Sequence, residues 1–334
     1  MNFWFTFLAI IGTVIGSGFI SGKEVVVFFS RFGFWSFPAI FATFFLFFFI
    51  FKFLLCKGEH AVGRLKKSRF SFVLNLLVCT IFSASMFAGT IDRAKNCGNG
   101  FVVVFLIILL LICAFVSKRG MISLNKINLF LVPIMTIVLI FALISQICKG
   151  IKIESFPNEF GGVSILYTLL YVVLNTSNGC VLISSFGQNL NNKLKTRVAF
   201  LSALVLSLIL LFINIVLLCR PEVFEEDMPL LQLFSGSFRQ VLSVAIMIGC
   251  LTTLFSLIYS CSSSMRGLCK NEFLIFVLSV LMPFVFSLLG FGFIVSYLYP
   301  IASVLGVFLL ADLMFVPLLK RADKKIHANS KNAK

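Results

Sequence analysis

The sequence is poor in charge, and this scarcity indicates the class of protein before any motif does. Charged residues make up 12% of the 334 positions, whereas a soluble domain carries about 25%. Acidic residues are fewer than basic ones, with 12 Asp and Glu against 28 Lys and Arg. The composition excludes an ordinary soluble domain, and the position of each remaining charge is informative.

Histidine and paired cysteine motifs are also scarce, which excludes several kinds of site. The two histidines, His60 and His327, have no neighbouring partners for zinc binding or catalysis. The ten cysteines are scattered without a C-x-x-C pair, and buried thiols act as small hydrophobes. Since we find neither a nucleophile–base set nor a phosphate-binding loop, we expect no enzyme activity, no catalytic residue and no ATP-driven transport.

The sequence is instead rich in long apolar runs. Hydrophobic residues reach 60%, with 43 Phe, and apolar runs of about 20 residues recur throughout. These runs do not alternate with polar residues, which argues against a transmembrane β-barrel. The first run lacks a basic leader and a cleavage site, so it is interpreted as a membrane helix. Ten spans are predicted, over residues 3–29, 34–55, 70–91, 100–117, 127–148, 161–188, 197–219, 239–265, 272–291 and 294–319.

The positions of Lys and Arg predict the orientation. With the N-terminus inside, 19 basic residues fall in cytoplasmic segments and seven in outer loops, and basic loops face the cytoplasm. Both termini are therefore predicted to be cytoplasmic, with residues 320–334 forming a basic tail. The net charge of +16 then lies mostly at the cytoplasmic face, where lipid headgroups are the expected partner and nucleic acid is not.

The segment AIIGTVIGSGFISGKEVVVFFSRFG, residues 9–33, interrupts the first span. Four glycines fall within it before the charged pair Lys23–Glu24, at Gly12, Gly16, Gly18 and Gly22. Glycine weakens a helix, and backbone leaves helical geometry at membrane depth only where it lines a cavity or is buried in protein. We predict a discontinuous first helix. The alternative is close helix packing, since the glycines also form small-xxx-small patterns.

A second interruption is predicted in the sixth span. Residues Asn175–Gly179 read N-T-S-N-G, and all five prefer caps and turns to helix interiors. The alternative is a polar patch that bonds neighbouring helices. Each interruption opens a five-span half, and an odd number of spans inserts the second half upside down. The pattern indicates an all-α membrane protein with two inverted repeats, about 1–150 and about 155–319, and with helices 1 and 6 discontinuous at a substrate site.

The motifs IGTVIGSGF and SGKEVVVFFSRFG resemble the start of the uncharacterised YkvI-like bacterial membrane proteins. CLTTLF in the eighth span and SYLYPIASVLG in the tenth are similar to the same family. The resemblance implies membership of the amino acid–polyamine–organocation transporter superfamily, and therefore the LeuT fold. It also implies a multi-pass protein of the bacterial cell membrane.

The resemblance further implies a sodium site between the first and eighth spans. By motif, its oxygens map to the carbonyls of Gly12, Ile15 and Gly249 and to the hydroxyls of Thr252 and Thr253. Such oxygens suit a hard cation, and the last three residues share one helical face. The alternative is that the threonines bond carbonyls one turn earlier. Phe19 stands where some relatives carry the Asn of a second sodium site, so we expect at most this Na⁺ and no other cofactor.

A substrate site at the two interruptions is also implied. Backbone amides that hold the substrate carboxylate in this fold map to Ser17 and Gly18. The contacts expected from the sixth span are Asn175, Thr176, Ser177 and Gly179. Candidates for the wall on the third span are Ser83, Ser85 and Met86.

Two acids lie within spans, and an intramembrane acid indicates function. Glu24 stands six residues beyond Gly18, so helical rise places it about 9 Å outward, where it pairs with a cation or carries a coupling proton. The alternative is a structural salt bridge with Arg31 or Arg239. Asp312 lies near the cytoplasmic end of the tenth span.

Two features, one at each predicted membrane face, are candidates for gates. Asp312 precedes Lys320 by two turns, which indicates a structural pair or an inner gate. Segment 220–236, RPEVFEEDMPLLQLFSG, is predicted to form a short outer helix that acts as a lid, or else a solvated loop.

These observations predict a secondary active transporter that moves a small solute, an amino acid, by alternating access with Na⁺ or H⁺. The uncharged centre of the sixth span argues against polyamines. The alternative is a receptor similar to germination permeases, which binds the same solute without net transport. An ion or water channel is the third reading, and the sequence names neither the cargo nor the oligomeric state.

Overall fold

A computed structural model of the chain describes residues 3–65, 68–95, 99–118, 122–150, 161–187, 190–266 and 269–314. This part of the chain is almost entirely helical and contains no strand. The helices are α1 (Phe3–Val14), α2 (Ser17–Ser21), α3 (Lys23–Phe28), α4 (Ser36–Leu65), α5 (Arg69–Lys95), α6 (Asn99–Lys118), α7 (Ile122–Ile147), α8 (Gly161–Gly187), α9 (Asn192–Leu218), α10 (Pro229–Gln232), α11 (Gly236–Met265), α12 (Glu272–Ser287) and α13 (Phe291–Met314). Short π-helical segments, Val277–Leu281 and Ile294–Leu298, lie inside α12 and α13.

The helices have the length and surface of a membrane protein. Six of those described, α4, α5, α8, α9, α11 and α13, are long and apolar enough to cross a membrane. Four shorter apolar helices overlap the remaining predicted spans. Large apolar side chains point outward, with Phe41, Ile137 and Ile165 exposed by 68%, 65% and 73%. Lipid accepts a surface that water would not, so the architecture fits the predicted all-α, multi-pass membrane protein.

The first helix is broken, as predicted from its glycines. α1 ends at Val14, and Gly16 is extended (φ −105°, ψ −167°) before α2 begins. α2 ends at Gly22, which has φ 81° and ψ −6° and donates its amide to the Phe19 carbonyl. Glycine adopts this left-handed conformation at little steric cost. The three pieces α1, α2 and α3 therefore follow one another at an angle through the buried centre of the protein.

The sixth span is unbroken, so the prediction of a discontinuous helix 6 is wrong. α8 runs without interruption from Gly161 to Gly187. The hydroxyls at its centre donate to carbonyls of the preceding turn, from Thr176 to Val172 at 2.7 Å and from Ser177 to Leu174 at 3.1 Å. Because these bonds satisfy the hydroxyls within the helix, residues that favour turns in isolation remain helical here.

The backbones of helices α4 and α8 lie close enough to contact each other directly. A Cβ atom on Gly58 would lie 2.4 Å from the Ser184 carbonyl oxygen, and one on Gly187 would lie 2.1 Å from the Leu55 carbonyl oxygen. Backbone atoms cannot move aside as the end of a flexible side chain can. Glycine at both crossing points therefore permits this contact, which holds α8 against α4.

We predict that Gly58→Ala lowers the free energy of unfolding by about 1–3 kcal/mol, because the added methyl group overpacks the α4–α8 contact. The matched control is Gly63→Ala in the same helix, where no atom lies within 4 Å of the added Cβ. Thermal unfolding of the purified protein in detergent measures both variants. Equal midpoints for the two variants would contradict the close approach.

Candidate functional site

The break in the first helix leaves two backbone carbonyls that meet a hydroxyl from α11. In a continuous helix the Gly16 amide would bond to the Gly12 carbonyl, but it donates to Val14 at 2.9 Å instead. The Thr253 hydroxyl lies 3.2 Å from the Gly12 carbonyl oxygen and 3.3 Å from that of Ile15, and it donates to this pair. A cluster of three buried oxygens is thus formed at the break.

The two threonines predicted for the sodium site behave differently. Thr253 reaches across to α1, whereas Thr252 donates to the Gly249 carbonyl on its own helix at 3.1 Å. Of the two threonines, only Thr252 therefore bonds a carbonyl one turn earlier on its own helix, as the alternative interpretation expected. Gly12, Ile15 and Thr253 supply the oxygen types that a hard cation takes. On α11, Thr252 directly precedes Thr253, and Gly249 lies one turn earlier.

The Glu24 carboxyl lies at the break and not in an outer vestibule. A Cβ atom built on Gly18 would be 2.2 Å from Glu24 Oε1 and 2.6 Å from Cδ, so the carboxyl rests directly against the Gly18 backbone. The prediction of a 9 Å outward displacement is wrong because it assumed a continuous helix. The left-handed Gly22 ends α2 and turns the chain, which brings Glu24 back onto α2.

The Glu24 side chain is fully buried, and neither carboxyl oxygen has a hydrogen bond of regular geometry among the described residues. The Asn175 side chain is the polar group that faces it. The hydroxyls of Tyr171 and Tyr299 are near enough to interact with it electrostatically. A carboxyl without a basic neighbour in such a place is either protonated or awaits a cation.

The salt bridge considered for Glu24 is absent from the described residues. The Arg31 guanidinium lies 4.1 Å from the centre of the Tyr167 ring. Arg239 donates to the Gln232 side chain at 3.1 Å. Neither arginine pairs with Glu24, so a structural ion pair does not account for the buried acid.

The residues predicted from the sixth span divide between two faces of α8. Asn175 faces Glu24, and Gly179 faces α1, where an added Cβ would lie 3.4 Å from the Thr13 hydroxyl. Ser177 points away toward α13 and lies over Gly306, while Thr176 bonds within its own helix. Gly18 and Asn175 are thus brought together at Glu24. Ser17 begins α2, and its side chain lies outside the described part of the structure.

Three residues of this region were not selected from the sequence. Tyr171 and Asn178 share a face of α8 with Asn175, at i, i+4 and i+7, and this polar spacing is the signal that could have found them. The Tyr171 hydroxyl and both amide atoms of Asn178 are buried with no hydrogen-bond partner among the described residues. Tyr299 of α13 shares a hydrogen bond with Ser85 and stacks on Phe82 at 4.6 Å.

The other wall candidates of α5 also lie at the centre. An added Cβ on Gly16 would lie 2.8 Å from the terminal methyl carbon of Met86, so Met86 packs against the break. Ser83 is buried. The third span therefore contributes Met86 and the Ser85–Tyr299 pair to the surroundings of the break.

Segment 220–236, which is predicted to lie on the outer side and is called the outer segment below, is bonded to the first helix. The Lys23 ammonium donates to the carbonyls of Phe224, Glu225 and Glu226 at 3.1, 3.3 and 2.8 Å. An added Cβ on Gly22 would lie 2.9 Å from Leu230 of α10, so this leucine sits on the turn itself. The segment is thus packed at Met228 to Leu231, where the short helix α10 begins, and exposed at Glu225 to Asp227.

At the other face, Asp312 of α13 accepts a hydrogen bond from the Ser71 hydroxyl at the start of α5. The contact joins the ends of two helices that also flank the break through Tyr299 and Ser85. The predicted pairing with Lys320 falls outside the described residues.

No protein-family model matches the chain. The chain is similar to the uncharacterised membrane protein YkvI of Bacillus subtilis (strain 168), with 22% identity over 315 residues. The alignment covers 87% of this chain and 89% of YkvI. This similarity agrees with the resemblance found in the first span and supports a membrane protein, while the superfamily and the LeuT fold stay predictions.

We predict that Lys23→Met loosens the outer segment, since three carbonyls lose a charged donor. Hydrogen bonds to a charged group contribute about 1.5–3 kcal/mol, so amide exchange in residues 221–235 becomes roughly tenfold to a hundredfold faster. The control is Lys95→Met on the same side, whose side chain is 63% exposed. Hydrogen–deuterium exchange measures both. Unchanged exchange in Lys23→Met would show that the segment is held by its apolar contacts alone.

Proposed function

We propose that the chain is a secondary active transporter that moves a small solute, an amino acid, by alternating access with Na⁺ or H⁺ as the coupling ion. The observation that carries the proposal is the buried break of the first helix, with unsatisfied polar groups gathered around it. Backbone of this kind at membrane depth is typical of the discontinuous helices that form transporter substrate sites.

Helix order supports a ten-span architecture of two inverted repeats. The first half holds the broken helix α1–α3 and then α4, α5, α6 and α7; the second holds α8, α9, α11, α12 and α13. Each half has five apolar segments, an odd number that inverts the second relative to the first. Together they form a single transport domain in the bacterial cell membrane, with both termini cytoplasmic.

The break offers complementary groups for a zwitterion and a coupling cation. Amides at the start of α2, at Ser17 and Gly18, suit a carboxylate. The oxygens of Gly12, Ile15 and Thr253 suit Na⁺. Asn175 and Asn178 present buried amide groups with unused hydrogen-bonding capacity, and such groups are rare in a core unless something binds them.

Contacts on both sides of the break support alternating access. The segment 220–236 covers the outer side through Lys23, and the Ser71–Asp312 bond joins helices on the inner side. Each contact is local and lies on its own side of the break, so one can open while the other stays closed. We assign both as gates, Asp312 on the inner side and the outer segment as a lid.

One observation favours the second candidate, a nutrient receptor that binds the same solute without net transport. α8 is continuous, so the second repeat lacks the broken helix that the fold's transporters use. A single break is enough to bind a solute, whereas moving it requires both repeats to rearrange. Transport measurements separate the two.

We predict that Na⁺ strengthens amino-acid binding and that Thr253→Ala removes this effect, since a ligand bound only to the folded protein raises its thermal midpoint. The test is a thermal-shift screen of the twenty amino acids with and without Na⁺. The loss of one oxygen ligand weakens the Na⁺ response roughly tenfold or more. The control is Thr43→Ala, a buried threonine that bonds the Ala39 carbonyl on its own helix. An unchanged Na⁺ response in Thr253→Ala would remove this ion site.

We predict saturable amino-acid uptake by proteoliposomes under an imposed Na⁺ or proton gradient. Saturation follows because each turnover carries one occupied site, and accumulation follows from coupling to the gradient. Radiolabelled amino acids measure the flux. Binding without accumulation under either gradient would favour the receptor, and flux that rises linearly with concentration would indicate a channel.

A further inference from the structure

Among the residues that the structure describes, the Glu24 carboxyl is a buried acid without a counter-charge. The charged and titratable groups of the packed helices are accounted for as follows. Lys23 of the same helix points to the outer segment. Arg31, in the turn that follows α3, lies over Tyr167. The groups near the carboxyl are Tyr171 of α8 and Tyr299 of α13. α5 contributes Ser85 and Met86, which do not ionise in this range.

A bare carboxylate is costly in these surroundings, since burial without a partner removes its solvation. The carboxyl therefore carries either a proton or a cationic ligand. The two states exclude each other, because the proton and the cation neutralise the same charge. The Glu24 carboxyl can therefore bind a proton or a cation, but not both at once.

The unpaired atoms around Glu24 match an ammonium group better than a metal ion. Within the described residues, the two Glu24 oxygens and Asn175 Oδ1 are buried without a hydrogen-bond partner, and Asn178, one turn further along α8, leaves both of its amide atoms unpartnered. A primary ammonium has three donors and no acceptor, so acceptors on α3 and α8 can satisfy it together. The Tyr171 hydroxyl is also buried without a partner and adds one more acceptor, while its ring is packed against Phe29 at 4.9 Å.

We propose that Glu24 is a shared binding site for a proton and for the primary ammonium group of the cargo, so that the cargo is exchanged against protons. Cargo binding breaks the Glu24 O–H bond and releases that proton to the water on the open side. The ammonium keeps its own protons and pairs with the carboxylate. On the opposite side the steps reverse, and one proton moves against each cargo molecule.

This inference rests on the proposed transport function, which it narrows to an amine-bearing cargo and a proton exchange. Gly18 is part of the arrangement, since a side chain there would occupy the place of the carboxyl. Amino acids and simple primary amines both carry the required group, and a carboxylic acid without an amine does not. The Thr253 oxygens form a separate cluster around Gly12 and Ile15.

The experiment measures proton release from the purified protein in weakly buffered detergent when ethylamine, L-alanine or propionate is added. Expected is one proton released per bound ethylamine or alanine, and none with propionate. Because proton and amine compete for one carboxyl, the affinity for ethylamine falls tenfold for each pH unit below the carboxyl titration. Glu24→Gln mimics the protonated form, and it abolishes the release and the pH dependence.

The control is Glu272→Gln at the start of α12, an acid whose side chain is 52% exposed and pairs with Arg266 at 3.0 Å, and it should behave as the wild type. Ethylamine binding without proton release, or equal release by Glu24→Gln, overturns the inference. Release on adding NaCl but not ethylamine also overturns it, in favour of a metal cation at Glu24.

Proteoliposome flux separates this inference from the function on which it rests. Amino-acid uptake without an opposing proton flux overturns the exchange alone and leaves the transporter in place. Proton release on ethylamine binding without any amino-acid flux keeps the Glu24 site and overturns transport. Uptake with an opposing proton flux that Glu24→Gln abolishes supports both.

Discussion

The left-handed turn at Gly22 (φ 81°) ends α2 and redirects the chain, and the position of the buried polar groups depends on it. The turn carries Glu24 back onto Gly18 and leaves Lys23, one residue earlier, pointing to the outer segment. The side chains of these two neighbouring residues thus lie in different surroundings. Lys23 finds three carbonyls, while the Glu24 carboxyl stays in the core beside Asn175.

The break in the first helix also leaves backbone carbonyls without partners inside the helix. Where α1 stops, the carbonyls of Gly12 and Ile15 need partners, because no water is available to a backbone group buried in a membrane protein. Thr253 supplies a hydroxyl from α11. The break is therefore tied to α11, and movement of α11 relative to α1 would expose or bury these oxygens.

Much of this arrangement could be predicted from composition and pattern. The helices follow from apolar runs, and the break follows from the glycines of the first span, because both are local properties. The pairing of Thr253 with Gly12 and Ile15 came from resemblance to a family of similar motifs. The break assigned to the sixth span failed, since its polar residues bond within the helix and α4 packs against it through Gly58 and Gly187.

The sequence by itself determined that this is a helical membrane protein with an interrupted first helix, because hydrophobicity and glycine content act over a few neighbouring residues. Only the tertiary structure decided what the interruption holds. The site of Glu24 depends on one backbone angle at Gly22, and its neighbours Asn175, Tyr171 and Tyr299 come from helices distant in the chain. Packing decides which partners a buried acid has, and packing joins residues that are far apart in the sequence.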